Sequence, residues 1–281
     1  MKRANSIIEI FKKQVKESPN NVGLVTDFSN YSYDEIDKNS DKVADELLRN
    51  NVVKGDFISV IMHRSEKMLF AILGILKVGA VYVPISREFP EERTDYILKD
   101  TDSKIVIVDG DINLNNTIFT LVANDDFFKR ELNSKVSIPL INGDDPLYCI
   151  YTSGTTGVPK GVVNTNLGCI NRISWMQEEY PINNNDRILQ KTNYIFDVSV
   201  WELFWWFFTG ASCVLLEDGE QGNPEKIYRK IIEEKITVTH FVPTMLSEYL
   251  NYLEDNSIED SSNLKWIFSS GEPLLPEYSS R

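Results

Sequence analysis

The amino-acid sequence predicts an α/β fold with largely parallel sheets. Short apolar runs typical of strands alternate along the chain with longer segments whose apolar residues recur at helical spacing. The chain has 281 residues, of which 42% are hydrophobic and 25% are charged, the balance of a soluble globular protein. This length is enough for one large domain or two ordinary ones.

The first half of the chain supplies helices and strands in turn. Residues 6–19 place four apolar side chains on one helical face, so we expect a helix there. Ser32 and Glu35 have the spacing of a capping box, which predicts the start of a second helix. The apolar segment 65–80 predicts a third, buried helix. Strands are predicted at 22–27, 56–62 and 104–109.

Strands and helices also alternate in the second half of the chain. Three segments between the predicted strands and helices are predicted as connections. Residues 113–126 and 180–187 are expected to be surface loops or edge segments, and residues 140–146 a boundary between two lobes. Strands are predicted near 147–151, 187–190, 212–216, 236–239 and 265–268, and helices near 164–179, 198–208, 224–234 and 244–253.

Charge and cysteine usage exclude several classes of function. The formal net charge of −13 argues against a duplex nucleic acid or an anionic membrane as partner. Three widely spaced cysteines without a C-x-x-C pair disfavour a disulfide framework or a zinc cage and favour a reduced, cytoplasmic protein. Residues 1–13 lack the apolar core of a signal peptide. The most apolar stretch, 201–216, contains Glu202 and is too short to span a bilayer.

Residues 151–162, YTSGTTGVPKGV, form the most informative segment. Backbone N–H groups of a glycine-rich loop after a strand can form a nest for phosphate, and hydroxyls and a lysine add donors and charge. The loop is not a Walker A motif, which needs Gly-Lys-Ser/Thr in sequence, because Pro159 precedes Lys160. A flexible surface turn is the alternative, and the density of these residue types favours phosphate binding. The candidate residues are Thr152, Ser153, Gly154, Thr155, Thr156, Gly157 and Lys160.

Asp197 and the two histidines are the other polar candidates. Asp197 lies in an apolar context at the start of a helical run, where a carboxylate needs a partner. Spacing alone leaves two roles open, a ligand for an α-ammonium group or a helix N-cap. His63 is expected to be structural or exposed. His240 ends a strand and has no Cys or carboxylate at ligand spacing, so we expect no metal there.

Several motifs resemble those of the adenylate-forming enzymes, which include acyl-CoA synthetases, luciferases and the adenylation domains of nonribosomal peptide synthetases. YTSGTTGVPKGV resembles their phosphate loop. Residues 31–47 and 76–85 resemble the first and second core motifs of the adenylation domains. FDVSVWE, residues 196–202, resembles the fourth, which separates the amino-acid-activating branch from acyl-CoA synthetases. SSGEPL, residues 269–274, resembles the strand end that lies against adenine.

The resemblance covers the whole chain and implies the large N-terminal domain of such an enzyme, in incomplete form. The Tyr-Gly-Pro-Thr-Glu stretch, the ribose-binding Thr-Gly-Asp and the lysine of the small C-terminal domain are not found. We therefore expect a fragment or a truncated product that alone catalyses little or no adenylation, and no catalytic residue is identified. A catalytically incompetent nucleotide-binding fragment and a D-alanine–carrier protein ligase-like enzyme are the alternatives.

The resemblance also implies the reaction and its participants. An amino acid carboxylate attacks the α-phosphorus of ATP, giving aminoacyl-AMP and pyrophosphate, with Mg²⁺ sharing the charge and a carrier protein domain as partner. The implied role of Asp197 is to hold the α-ammonium group. The implied nucleotide-binding residues after the last strand are Gly271, Glu272 and Pro273. The implied substrate-binding residues are Asp197, Val198, Trp201, His240, Phe268 and Ser270.

These six residues resemble the set found in serine-activating domains and therefore imply L-serine as substrate. Trp201 would keep the pocket short, which argues against aromatic and long aliphatic side chains. His240 and Ser270 would bring polar groups to a hydroxyl. Threonine, which adds one methyl group, is the nearest competitor. Alanine would leave a polar group of the pocket unpaired.

Overall fold

The computed structural model describes residues 4–112, 114, 118–132, 136–153, 158–259 and 262–276. In these residues the helices are α1 (Ile7–Glu17), α2 (Tyr33–Arg49), α3 (Glu66–Lys77), α4 (Glu91–Asp100), α5 (Asp125–Phe128), α6 (Asn166–Glu179), α7 (Ser199–Phe204), α8 (Pro224–Glu233) and α9 (Pro243–Asp255). The strands are β1 (Val22–Val25), β2 (Asn30–Ser32), β3 (Phe57–Ile61), β4 (Val81–Pro84), β5 (Ile105–Val108), β6 (Phe119–Val122), β7 (Pro146–Thr152), β8 (Lys160–Thr165), β9 (Arg187–Gln190), β10 (Ser212–Leu215), β11 (Val238–Phe241) and β12 (Trp266–Ser269).

The strands form two sheets of similar design. One has the order β12-β11-β9-β10-β1-β2 and the other β6-β5-β3-β4-β7-β8. Neighbouring strands are parallel except for the hairpins β1–β2 and β7–β8, which add one antiparallel strand to each sheet. The predicted α/β fold with largely parallel sheets is therefore confirmed. Each sheet takes strands from both sides of residues 140–146, and the lobe boundary there stays a prediction.

The central strands of both sheets are buried on both faces. In β5, Ile107 belongs to the main core, which also contains α2 and α3, whereas Val106 packs on the opposite face with residues of α4. In β10, Cys213 belongs to the same main core, whereas Val214 packs with residues of α8 and α9. This is why the strands appear in the sequence as continuous apolar runs. The main core thus unites the inner faces of the two sheets with the helices between them.

Local sequence signals explain where the helices begin. Ser32 Oγ accepts a hydrogen bond from the N–H of Glu35 at 3.3 Å, and the Glu35 carboxylate accepts one from the N–H of Ser32 at 2.8 Å. The predicted capping box is confirmed. Ser6, Ser65 and Thr165 cap α1, α3 and α6 in the same way, each with one hydroxyl.

The structure adds elements that the sequence analysis did not predict. They are the strands β2, β4 and β8 and the helices α4 and α5. Residues 119–122 form β6 at the edge of its sheet, as expected for an edge segment. The predicted helix 198–208 consists of α7 and a 3-10 turn at Trp205–Phe208.

Gly74 allows α3 to approach α2 closely. A Cβ atom at this position would lie 2.5 Å from Cβ of Val43 and 2.9 Å from the carbonyl oxygen of Ser40. We expect Gly74→Ala to destabilise the protein by about 1–3 kcal/mol through overpacking, because the gain in helix propensity is at most about 1 kcal/mol. Denaturant unfolding measures the change. Gly222→Ala is the matched control, since no atom lies within 4 Å of its added methyl group. A Gly74→Ala protein as stable as the parent would contradict this packing.

Candidate functional site

The predicted phosphate loop connects the two strands of the β7–β8 hairpin. Thr152, the last residue of β7, pairs with Lys160, the first residue of β8, so these two candidate residues are neighbours at the base of the loop. Ser153 follows Thr152. Four further candidates lie outside the described residues, namely Gly154, Thr155, Thr156 and Gly157. The structure thus brings the two ends of the loop together, and phosphate binding by the loop stays a prediction.

A cavity of about 500 Å³, which we call the loop cavity, lies beside the start of this loop. Thr152 and Ser153 line it from the end of β7, and Phe196 and Asp197 line it from the segment before α7. Arg93 of α4 is also part of its wall. The cavity therefore joins the predicted phosphate loop to the FDVSVWE motif.

A second cavity, of about 640 Å³, contains all six predicted substrate-binding residues in its lining, and we call it the His240 cavity. It shares Tyr148, Asn164 and Asp197 with the loop cavity, so the two cavities adjoin. The six residues are Asp197, Val198, Trp201, His240, Phe268 and Ser270. Residues distant in the sequence are thus brought to one place, and their roles in binding stay predictions.

Asp197 lies where the two cavities meet. α7 begins at Ser199 with Val198 as its N-cap residue and has no side-chain cap, so the alternative of Asp197 as a helix cap is wrong. The hydroxyl of Ser199 donates to the carbonyl of Phe196 at 2.6 Å and does not cap the helix either. Among the described residues, the Asp197 carboxylate has no hydrogen bond or ion pair. The carboxylate is therefore available to a cationic group in either cavity.

His240 and Ser270 form a polar pair in the wall of the His240 cavity. His240 Nε2 and Ser270 Oγ lie 2.8 Å apart, at the ends of the neighbouring parallel strands β11 and β12. Burial, with a smaller effect of the positive charge of Lys191, lowers the pKa of His240 to about 4. The imidazole is therefore neutral at neutral pH and has one donor and one acceptor nitrogen.

Aromatic rings form another part of the lining of the His240 cavity. The ring centroids of Trp201 and Phe268 lie 5.2 Å apart, and that of Trp205 lies 5.8 Å from Trp201. The ring of Tyr180 also contacts Phe268, at a centroid distance of 5.2 Å and nearly perpendicular to it. Rings packed on several sides in this way have little freedom to move. The width of the cavity is therefore fixed by the fold.

The predicted nucleotide-binding residues follow β12. Gly271 lines the His240 cavity and has φ of 93°, a left-handed conformation that favours glycine. Glu272 points to α9, where its carboxylate accepts hydrogen bonds from the N–H of Thr244 at 3.1 Å and from its hydroxyl at 2.5 Å. These bonds lower the pKa of Glu272. Pro273 is exposed. Contact of the three residues with a nucleotide stays a prediction.

Glu202 supports the segment that carries Asp197 and Trp201, and the sequence analysis noted it only as a charge in an apolar stretch. Its side chain is fully buried, and its carboxylate accepts hydrogen bonds from Gln190 Nε2, the N–H groups of Lys191 and Thr192, and the Thr192 hydroxyl, at 2.6–3.2 Å. Burial raises the pKa of Glu202, and the donors from Thr192 oppose that effect. The sequence contained one sign of this buried carboxylate, namely an acidic residue within the most apolar segment.

Metal and membrane sites were sought throughout the described ranges. In that part of the chain, no group of three or more His, Cys, Asp and Glu side chains is arranged to hold a metal ion. None of the helices described is long and apolar enough to cross a bilayer. Cys149, Cys169 and Cys213 are buried and free, and burial raises the pKa of each thiol.

Comparison with known proteins relates nearly the whole chain to one family. Residues 11–281 match the sequence profile of the family described as AMP-binding enzyme. The chain is 36% identical to one of the subunits of mycosubtilin synthase of Bacillus subtilis, over 98% of this chain and 11% of that protein. It is 37% identical to zwittermicin A synthase ZmaJ of Bacillus cereus, over 98% of this chain and 53% of that protein. The chain thus spans between about a tenth and about half of the length of these curated relatives.

Solved structures share the fold. The chain is similar to the nonribosomal peptide synthetase FmoA3 in an AMPPNP-bound form, with a TM-score of 0.90 and 25% identity over 99% of this chain and 30% of that one. It is also similar to the N-terminal subdomain of Klebsiella oxytoca NpsA in complex with 3-hydroxybenzoyl-AMSN, with a TM-score of 0.88 and 22% identity, over 99% of this chain and 69% of that one. The second likeness concerns the fold alone and is consistent with the predicted fold class.

The pKa of His240 gives a test of the geometry of the His240 cavity. We expect the imidazole to titrate near pH 4 in the folded protein, compared with 6.5 for an unperturbed histidine. Because the unfolded chain binds the proton more readily, the contribution of His240 to stability is complete above pH 6.5 and is lost as the pH falls towards 4. The NMR signal of the His240 imidazole is identified by its absence from the spectrum of His240→Asn. Following this signal as the pH changes measures the midpoint. A midpoint near 6.5 would show that the ring is not buried in this way.

Proposed function

The chain belongs to the AMP-binding enzyme family, and we propose that it acts in ATP-dependent activation of an amino acid for nonribosomal peptide synthesis. In this reaction an oxygen of the amino acid carboxylate bonds to the α-phosphorus of ATP. The bond between the α-phosphorus and the bridging oxygen breaks, and pyrophosphate leaves with the electron pair. The synthase names of the sequence relatives and the likeness to FmoA3 support this choice.

The junction of the two cavities at Asp197 is the observation that carries the proposal. One cavity begins at the predicted phosphate loop, and the other contains the His240–Ser270 pair. An α-amino acid held by its ammonium group at Asp197 can place its side chain in the His240 cavity and its carboxylate towards the loop cavity. Positioning of this kind and neutralisation of charge are sufficient for catalysis, because the carboxylate is already a nucleophile.

The predicted phosphate loop would hold ATP by its outer phosphates. Thr152 and Ser153 offer hydroxyl and backbone donors, and Lys160 adds a positive charge at the base of the loop. Mg²⁺ would accompany ATP and share the charge of the phosphates. Such an ion is bound largely by phosphate oxygens and waters with one or two carboxylates, so it does not require a cage of protein ligands.

L-serine is the amino acid that we propose as substrate. The neutral ring of His240 and the Ser270 hydroxyl can both donate and accept, which suits a hydroxymethyl side chain. The packed rings of Trp201 and Phe268 limit the space for larger side chains. A carrier protein domain would receive the activated residue, and we propose a cytoplasmic location, in keeping with the free cysteines.

A panel of amino acids in ATP–pyrophosphate exchange tests the substrate. We expect serine to be preferred, threonine to be rejected by only about 1–3 kcal/mol because it adds one methyl group, and alanine to be activated more weakly because it leaves a polar group unpaired. The assay uses the longest natural form that contains residues 1–281. A clear preference for another amino acid would refute the serine assignment while leaving amino acid activation intact.

Asp197→Asn tests the proposed ammonium site. Removing the negative charge while keeping the shape should lower kcat/KM for the amino acid by at least about tenfold, because a charge-assisted hydrogen bond is lost. The KM for ATP should change little. Asp126→Asn is the matched control, since Asp126 is an exposed residue of α5 that pairs with Lys129. Equal amino acid kinetics in the Asp197 variant and the parent would exclude this role.

A further inference from the structure

Arg93 projects from the first turn of α4 into the wall of the loop cavity. It shares this wall with Thr152 and Ser153, at the start of the predicted phosphate loop. The guanidinium carbon lies 3.9 Å from the ring centroid of Phe89, which lines the same cavity. This cation–π contact holds the planar guanidinium in one orientation beside the loop.

The guanidinium of Arg93 lacks a polar partner in the described part of the chain. Its Nε atom is buried and has no hydrogen bond, and the side chain makes no ion pair there. Two other arginines, in contrast, are paired with carboxylates. Arg87 donates to Asp109 at 2.8 Å, and Arg187 donates to Glu234 at 2.7 Å. A buried, unpaired donor costs free energy, so its presence at a cavity wall indicates a ligand that supplies acceptors.

The surroundings of Arg93 identify the class of ligand. Five N–H donors in a fixed plane match the oxygens of a phosphate, which they can bind in bidentate fashion. The hydroxyls of Thr152 and Ser153 in the same wall are further donors to an anion. The amino acid, in contrast, has its own proposed contacts at Asp197 and in the His240 cavity. A polyphosphate therefore fits the loop cavity better than a second carboxylate does.

We propose that Arg93 binds the β- and γ-phosphates of ATP and the pyrophosphate released from them. This inference rests on the proposed function, because it assigns a residue to the leaving group of that reaction. The β- and γ-phosphates carry more negative charge when the bond to the α-phosphorus breaks. A fixed cation at this position stabilises the departing pyrophosphate without reorganisation.

Direct binding of inorganic pyrophosphate to the 281-residue chain tests the inference. Isothermal titration calorimetry in the presence of magnesium is expected to show binding that weakens about tenfold or more in Arg93→Gln, because charge-assisted hydrogen bonds are lost. Arg93→Lys keeps the positive charge but not the planar set of donors. Its affinity for pyrophosphate should therefore lie between those of the parent and Arg93→Gln. Arg229→Gln removes an exposed arginine of α8 that pairs with Glu225, so its affinity for pyrophosphate should equal that of the parent.

The outcomes separate this inference from the proposed function. Thermal unfolding of each variant checks that affinity is compared between folded proteins. Equal affinity of Arg93→Gln and the parent, or no binding by the parent chain, overturns the role of Arg93. A loss confined to the KM for the amino acid in exchange assays also overturns it. Pyrophosphate binding that depends on Arg93 in a protein that activates no amino acid would support Arg93 and refute the proposed function.

Discussion

The fully buried carboxylate of Glu202 fixes the segment on which the candidate site depends. A charge without solvent is tolerated only when donors surround it, and here the donors are Gln190, Lys191 and Thr192 at the end of β9. Because Glu202 lies in α7, these bonds fasten the helix to the sheet and leave little freedom to residues 193–201 between them. Asp197 and Trp201 belong to that segment. Their positions therefore depend on the carboxylate of Glu202, although it does not line either cavity.

The same segment also joins the two sheets. The Tyr194 hydroxyl accepts a hydrogen bond from the N–H of Met62 at 3.0 Å, and the carbonyl of Ile85 lies 3.2 Å away, so it is anchored at the ends of β3 and β4. Arg64, which follows β3, donates to the carbonyl of Lys191, which follows β9 in the other sheet, at 2.8 Å. Both sheets therefore present the carboxyl ends of their parallel strands to one region. Ligands of α/β proteins commonly bind at such ends, and the two cavities lie there.

The sequence could predict the fold where one physical signal dominated. Buried strands and amphipathic helices were found from their periodicity, and the start of α2 from Ser32 and Glu35. β8 was missed because most of its side chains are exposed and lack alternation, and α4 because charged residues outnumber apolar ones. Asp197 and His240 were noted from their local sequence context, and their roles in substrate binding were predicted from motif resemblance. Arg93 could not be found from the sequence, because its lack of a hydrogen-bond partner among the described residues is a property of the folded chain.

The negative net charge of the chain makes the donors in the wall of the loop cavity important for the proposed binding of phosphate. A chain with net charge −13 repels a triphosphate at long range, although salt screens this repulsion beyond about 8 Å. Asp197 adds a negative charge at the junction of the cavities, where we propose that it holds the ammonium group of the amino acid. In the proposed reaction, the attraction for the phosphates of ATP must then come from groups within a few ångströms of them. Arg93 shares the wall of the loop cavity with Thr152, and Lys160 pairs with Thr152 at the base of the loop. In the proposed reaction these two cations would attract the phosphates of ATP, while Asp197 would hold the ammonium group of the amino acid.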